Sequence, residues 1–235
     1  MNQGVSASPE LWSVVLAAYQ EAPTIAAVVR GALALSPPPH EVIVVDDGSR
    51  DDTARLAAEA GARVIRLPVN QGKGAALRRG IDAAEGEILV FLDADGQDDP
   101  AEIPVLLAAM DASVDLVIGS RFLGEFAEGA ITPINRLGTR FLTEVLNLLF
   151  GARVTDCLAG FRAVRKRALR RFTLSARRYD IEVDLLIGVL QTGGRVVEVP
   201  VRRTARLHGA SGLRSVPDGT RILLRMLQHR AMPMR

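Results

Sequence analysis

A single cysteine, Cys157, and only three histidines stand among the 235 residues. One thiol closes no intramolecular disulfide, and neither a Cys₂His₂ nor a Cys₄ zinc site can be assembled from that inventory. A reducing compartment suits such a chain. Aromatics are 4% of the residues, too few for the stacking platforms of a single-strand binder, so nucleic acid is not an expected partner. Every apolar run is broken by charge, Gly or Pro well before the roughly 20 residues that a bilayer span demands. The first residues, Met1-Asn2-Gln3-Gly4-Val5-Ser6, hold no basic stretch followed by an apolar one, so no secretory signal is expected. Net charge is small at +2, but carboxylates gather in the first half and arginines dominate from Arg162 onward. That asymmetry suits an anionic partner.

What is present is the composition of a globular protein. With 48% hydrophobic and 24% charged residues, collagen-like, disordered and coiled-coil classes are excluded. At about 150 residues per domain the chain is one large domain or one domain with an appendage. Short β-branched runs at 13–17, 41–45, 63–67, 87–92 and 115–118 read as strands. Alanine-rich stretches at 24–35, 53–60, 75–84 and 101–110 read as the helices between them. This alternation predicts an α/β fold, a doubly wound, Rossmann-like and mostly parallel sheet with helices on both faces. After about Gly119 the period is less regular.

Ligands of such sheets sit beyond the carboxyl ends of the strands, and there the sequence is unusually polar: Ala18-Tyr19-Gln20-Glu21, Asp46-Asp47-Gly48-Ser49, Asn70-Gln71-Gly72-Lys73-Gly74 and Asp93-Ala94-Asp95-Gly96-Gln97. Residues two apart in extended chain project to one side, so Asp93, Asp95 and Gln97 can present oxygens to one point. Mg²⁺ or Mn²⁺, completed by water and diphosphate oxygens, is the cation such a point suits. The bland alternative is an Asp-rich turn capping the next helix. Asp46 and Asp47 end a buried strand, where a base N–H or a ribose hydroxyl would use them, although Ser49 or Asp51 also reads as a simple helix cap. Gly72-Lys73-Gly74 is neither a Walker A loop, since Leu67 and Gly74 stand at its Gly and Ser/Thr positions, nor a Rossmann fingerprint, since Leu77 takes the third small position. It remains a flexible turn carrying one cation at a helix start, suited to phosphate or to the base end of a nucleotide.

From Val15 to about Ser211 the chain resembles the family 2 glycosyltransferases of GT-A fold, most closely their polyprenyl-phosphate (dolichyl-phosphate) mannose or glucose synthases. Ala17-Ala18-Tyr19-Gln20-Glu21 resembles that family's P-A-Y-N-E segment, with Ala for Pro and Gln for Asn. Val44-Val45-Asp46-Asp47-Gly48-Ser49 and Asn70-Gln71-Gly72-Lys73-Gly74 match without substitution, and Asp93-Ala94-Asp95-Gly96-Gln97 resembles the D-x-D-x-Q metal site. Gly119-Ser120-Arg121, Asp156 with Gly160-Phe161-Arg162, and Glu198-Val199-Pro200 follow in the family's order.

The resemblance implies inverting transfer of a hexose from a nucleoside diphosphate sugar, GDP-mannose or UDP-glucose, to polyprenyl phosphate. Ala17, Tyr19, Glu21, Asp46, Asp47, Gly72, Lys73, Asp93 and Ala94 would line the donor, and Asp93, Asp95 and Gln97 would hold the metal. Asp95, Arg121, Arg136, Asp156 and Arg206 would serve the chemistry. A phosphate acceptor is already anionic, whereas a hydroxyl would need a base, for which Asp156, Glu182 and Asp184 are candidates. One departure is plain: R-x-x-G-x-S-K appears as Arg206-Leu207-His208-Gly209-Ala210-Ser211-Gly212, with Gly for Lys and Arg214 nearby.

The expected organisation is a tail at 1–12, the GT-A domain at 13–212 and a basic amphipathic helix at 213–235. Leu137, Phe141, Leu142, Val145, Leu146, Leu148 and Leu149, beside Arg136 and Arg140, give the stretch 135–150 a broad apolar face. Ile222, Leu223, Leu224, Met226 and Leu227 do the same for 220–230 among Arg221, Arg225, His229 and Arg230. Such faces pack on the sheet or lie on an anionic membrane surface. The expected location is cytoplasmic and peripheral on the inner face of the membrane, or by way of a membrane-anchoring partner. Transfer to a soluble hydroxyl or thiol acceptor is the runner-up. A sugar nucleotidyltransferase would want a glycine-rich, arginine-bearing loop after the first strand, and a non-catalytic sugar-nucleotide sensor would not need intact Asp93 and Asp95.

Overall fold

The computed structural model describes residues 10–206, 208 and 215–232. In chain order the strands are β1 (Trp12–Ala18), β2 (Glu41–Asp46), β3 (Arg63–Arg66), β4 (Ile88–Asp93), β5 (Leu116–Phe126), β6 (Arg162–Arg165) and β7 (Val196–Arg203). The helices are α1 (Ile25–Leu33), α2 (Thr53–Glu59), α3 (Lys73–Ala83), α4 (Ile103–Ala108), α5 (Pro133–Phe150), α6 (Lys166–Leu169), α7 (Ile181–Gln191) and α8 (Ser215–Ala231). The strands form one sheet in the order β3-β2-β1-β4-β6-β5-β7. β6 alone is antiparallel to its neighbours.

Alternation along the central strands builds two cores. Val15, Ile43, Val45, Leu89 and Phe91 face α3, α5, α7 and α8. Val14, Leu16, Val42, Val44, Val90 and Leu92 face α1, α2 and α4. Both sheet faces are therefore covered, as buried parallel strands require. Within the stretch 213–235, expected as a basic amphipathic helix, α8 covers Ser215–Ala231, and its buried Ile222 and Met226 join the same core cluster as Leu142 and Leu146 of α5; residues 213, 214 and 233–235 lie outside the described residues. Of the expected tail, residues 1–9 lie outside the described residues, and Trp12 already belongs to β1.

Several boundaries differ from expectation for local reasons. The stretch 101–110 opens as a 3₁₀ turn, Pro100–Glu102, with Asp99 accepting from the Ala101 amide, and only then becomes α4. β5 runs well past Ile118, because after a register shift its distal half pairs again with β7, Glu125 against Arg202 and Phe126 against Arg203. The register that matters for function is at the carboxyl edge. Ala18 lies beside Asp46, and Ala17 beside Asp93.

Candidate active site

The turn after β1 is held by the turn after β2: the Gln20 amide donates to Ser49 Oγ at 2.9 Å and the Glu21 amide to Thr53 Oγ1 at 2.9 Å. Gln20 has φ +57°, the left-handed region that Asn tolerates better than Gln. Asp46 is buried and accepts from the Ser49 amide at 3.0 Å. Its Oδ2 lies 3.3 Å from Arg66 Nε and makes no hydrogen bond. Asp47 binds the amides of Gln71 and Gly72, both at 2.8 Å, and so holds the turn that leads into α3. Above these groups lies a cleft of about 770 Å³ lined by Tyr19, Ser49, Arg50, Arg66, Val69 and Asn70 among others.

Lys73, expected at the nucleotide, has its ammonium 2.6 Å from Asp93 Oδ1 and 2.6 Å from Glu182 Oε1. Burial opposes its charge, but the two carboxylates outweigh burial and raise its pKa. Gly160 leaves room for this pair, since a Cβ there would stand 3.0 Å from Asp93 Oδ1 and 3.1 Å from Lys73 Nζ. The Asp93–Gln97 turn is further fixed by Thr24 Oγ1, which donates to the Ala94 carbonyl at 2.8 Å, and by the Gln97 amide on Asp95 Oδ1 at 3.0 Å.

Arg203, at the end of β7, was not singled out by the sequence. Its Nη2 lies 3.0 Å from Gln97 Oε1, 3.3 Å from Asp93 Oδ2 and 3.9 Å from Asp95 Oδ2, while Nη1 donates to Asp98 Oδ1 at 2.6 Å. Arg206 bridges Glu21 Oε1 at 2.6 Å and Asp95 Oδ2 at 3.2 Å. Five carboxylates, of Glu21, Asp93, Asp95, Asp98 and Glu182, thus share one ion-pair network with three cations, Lys73, Arg203 and Arg206, leaving two negative charges over when all are ionised. Burial pushes Glu21 up to about 6 against the pull of Arg206, with Asp95 and Asp93 adding to the rise. Burial and then Asp93 raise Asp95 as well. Asp93 itself is held well below the usual carboxylate range, because Lys73 and Arg203 overcome its burial.

The donor set fits a hard divalent cation. Three oxygens, of Asp93, Asp95 and Gln97, converge on one positively charged nitrogen, so their geometry already suits a shared cation. Among the described residues no group of three or more His, Cys, Asp or Glu side chains could hold a metal, but Mg²⁺ commonly takes only one or two carboxylates beside water and phosphate.

Asp156 is fully buried and gripped by Arg121, with Nε on Oδ2 at 2.6 Å and Nη2 on Oδ1 at 2.8 Å. Glu198 holds this segment by accepting from the amides of Thr155 and Asp156 at 2.7 and 3.0 Å. Of the general-base candidates, Asp184 is not at the site. It accepts from Arg225 and His229 of α8 at 2.8 and 2.5 Å and from the amides of Ser175 and Ala176. Glu182, two residues earlier, faces Lys73 instead.

Arg136 is exposed in the first turns of α5 and stacks 5.3 Å over Phe126, as Arg140 does over Phe122. The expected apolar face of α5 divides: Leu142 and Leu146 are buried, whereas Leu137, Phe141 and Leu148 are exposed, as is Ile134 just before that stretch. On α8, Ile222 and Met226 are buried and Leu224 and Leu227 exposed. No helix among the described residues is long and apolar enough to cross a membrane. Leu207 and the stretch 209–214, which carries Gly212 and Arg214, lie outside the described residues.

Residues 13–173 match the family described as glycosyl transferase family 2. The polyprenol monophosphomannose synthase of Mycolicibacterium smegmatis is 35% identical over 216 residues, covering 84% of this chain and 79% of that protein. The undecaprenyl-phosphate mannosyltransferase of Micrococcus luteus is 33% identical over 200 residues, covering 77% of this chain and 79% of that protein. Among solved structures, glucosyl-3-phosphoglycerate synthase from Mycobacterium tuberculosis in complex with Mn²⁺, uridine diphosphate and glucosyl-3-phosphoglycerate superposes with TM-score 0.73 and 30% identity, over 94% of this chain and 80% of that one.

Proposed function

Since this chain belongs to glycosyl transferase family 2, we propose that it is a metal-dependent inverting glycosyltransferase carrying a hexose from GDP-mannose or UDP-glucose to polyprenyl phosphate. One observation carries the metal and donor sites: the oxygens of Asp93, Asp95 and Gln97 converge at the carboxyl edge of the sheet, in a network two negative charges in excess, beside an open cleft. Asp93, Asp95 and Gln97 hold Mg²⁺ or Mn²⁺, which when bound neutralises the diphosphate charge that builds as the sugar leaves. A relative solved with Mn²⁺ and uridine diphosphate supports that choice.

The chain's own groups do the rest. Tyr19 and the Asn70 turn line the cleft for the nucleoside, and Asp46, buried at the adjoining strand end, keeps in Oδ2 an acceptor that makes no hydrogen bond. Ala17, Ala94 and Gly72 are small residues where the donor must come close to the backbone, and Asp47 keeps the turn in place. Lys73 acts on the donor through Asp93, whose orientation and ionisation it fixes. Arg121, Arg136 and Arg206 supply cations to the phosphates.

The acceptor phosphate oxygen attacks the anomeric carbon as the bond to the nucleoside diphosphate oxygen breaks, and the electron pair leaves with the diphosphate. No general base is required, in keeping with Asp156 being committed to Arg121. The relatives named for polyprenyl-phosphate substrates support the lipid acceptor. So do the exposed apolar residues of α5 and α8 beside Arg136, Arg140, Arg221 and Arg230, which suit peripheral contact with an anionic membrane or a membrane-anchoring partner. A soluble acceptor is the second reading, favoured by the likeness to glucosyl-3-phosphoglycerate synthase.

The test is nucleoside diphosphate release from a panel of GDP and UDP sugars with Mg²⁺ or Mn²⁺, with and without polyprenyl phosphate. Release that depends on both metal and lipid is expected. Release stimulated only by a soluble acceptor would move the assignment to the second reading, and full turnover in excess chelator would refute the metal.

A further inference from the structure

β7 ends inside the acidic turn and is stitched to it. Residues 98 and 203 form an isolated antiparallel bridge, and the Thr204 amide donates to the Gln97 carbonyl at 2.9 Å. Arg203 is buried, with its guanidinium divided between two kinds of partner. Nη1 makes a 2.6 Å bond to Asp98, whose side chain is 1% exposed, and a longer one of 3.3 Å to Asp93 Oδ2. Nη2 is shared among Gln97 Oε1, Asp93 Oδ2 and the more distant Asp95 Oδ2. Those three oxygens are the ones assigned above to the divalent cation, and a guanidinium and a dication drawn to the same oxygens repel one another, so the two compete for them. Asp98, by contrast, anchors Arg203 through a 2.6 Å bond from Nη1.

The geometry points to Arg203 as a built-in counter-ion of the metal site. Its guanidinium, chiefly through Nη2, gathers Asp93, Asp95 and Gln97 and gives them up when the cation arrives, while Nη1 stays on Asp98. The inference rests on the metal-dependent reading and makes Arg203 a positioning residue that acts through the ligands. Without Arg203 three carboxylates, of Asp93, Asp95 and Asp98, crowd together with less compensation, so the metal-free protein loses stability and the empty site attracts cations more strongly. With Arg203 present, a metal must displace hydrogen bonds of a buried arginine before it binds. The freed Nη2 then needs an anionic acceptor, and a diphosphate oxygen is one. Metal alone therefore binds weakly, and metal with nucleoside diphosphate binds cooperatively.

The experiment is a Mn²⁺ titration read by the paramagnetic resonance of free Mn²⁺, with and without UDP or GDP. It is run on the full-length wild type, Arg203→Gln, Arg203→Lys and Asp95→Asn, with thermal unfolding in chelator alongside. Arg203→Gln is expected to bind Mn²⁺ alone about tenfold or more tightly than wild type, to unfold at a lower temperature in chelator and to gain more from added Mn²⁺. Arg203→Lys keeps the charge but cannot span both edges, and should fall between. Unchanged or weaker Mn²⁺ binding by folded Arg203→Gln overturns the inference. Should that variant not fold, Arg203→Lys decides on the same criterion, with about threefold tighter binding as support. If wild type binds Mn²⁺, Asp95→Asn does not, and Arg203→Gln matches wild type, only the Arg203 inference falls. If no variant binds Mn²⁺ even with nucleotide, the metal reading fails and takes the inference with it.

Discussion

Asp95 and Glu21 sit on either side of Arg206, and their chemistry diverges. Asp95 Oδ2 belongs to the convergent oxygen set, so Asp95→Asn keeps the shape while removing charge that offsets the diphosphate. A fall in kcat/KM of about a hundredfold or more, ~3 kcal/mol of transition-state stabilisation, is expected with an unchanged circular dichroism spectrum. A fall of less than about threefold would place the metal elsewhere. Glu21 is pushed up to about 6 by burial, despite Arg206 at 2.6 Å. The native state therefore holds the Glu21 proton more tightly than the unfolded chain does, and between about 4.5 and 6 this group's share of stability declines as pH rises. Glu21→Gln imitates the protonated form. Relative to wild type it should be more stable by ~1–2 kcal/mol above about pH 7, with the gain vanishing near pH 4.5. Paired urea titrations at the two pH values check this, and a gain independent of pH would refute the assignment of the shift to Glu21.

At the scale of elements, the first half of the chain was more legible than the second, where the amphipathic stretches 135–150 and 220–230 stood out but β6, α6, α7 and β7 did not. β1 to α3 alternate Val/Ile runs with Ala-rich helices, and each polar strand end fell where the fold needs it. β6 gives no strand signal because half of its four residues are arginines. Both are buried and satisfied, Arg162 by the carbonyls of Ala159, Cys157 and Glu182, and Arg165 by the carbonyls of Val114, Met110 and Asp111 and the carboxylate of Glu10. α7 lacks a periodic polar face because it is buried nearly all round, Glu182 and Asp184 included. Arg203 had no motif to mark it, and its role depends on β7 pairing with β5 and meeting the 96–98 turn. These are long-range contacts that no local pattern encodes.

Asp184 fastens α8 to α7. Burial works against its charge, yet His229, Arg225 and the amides of Ala176 and Ser175 hold its carboxyl well below the usual range. A depressed native value means that the stabilisation is complete above the unfolded value near 4 and is lost as pH falls below it. Asp184→Asn should cost about 3 kcal/mol near pH 7, less near pH 3, and release amide protection in α8 before the central strands. Uniform loss of protection throughout the sheet would show that α8 is not a separable unit.

For the whole molecule the decisive question is what meets the outer surface of α5 and α8. α5 keeps Leu142 and Leu146 for the core and turns Ile134, Leu137, Phe141 and Leu148 outward, the last two 58% and 85% exposed. Buried and exposed apolar residues thus occupy different sides of one helix, so packing on the sheet does not account for the outer stripe. Arg140 lies near that stripe while stacking on Phe122, which keeps its charge at the surface. α8 contributes exposed Leu224 and Leu227 with Arg221 and Arg230. An apolar stripe with arginines at its margin gains from burial in the interface and from anionic headgroups together, so binding should weaken with salt and with loss of either component. In liposome flotation, wild-type protein is expected to rise with anionic vesicles at low salt and to rise less at high salt. Leu137→Glu with Phe141→Glu should abolish flotation while leaving the unfolding temperature and Mn²⁺ binding nearly unchanged, because neither side chain touches the core or the acidic turn. Transfer to polyprenyl phosphate presented in vesicles should fall with flotation, whereas transfer to a short-chain, water-soluble analogue should not. If wild-type protein stays in the soluble fraction at low salt, or if the double variant floats as well as wild type, the outer stripe is not a membrane surface and the soluble acceptor gains the stronger claim.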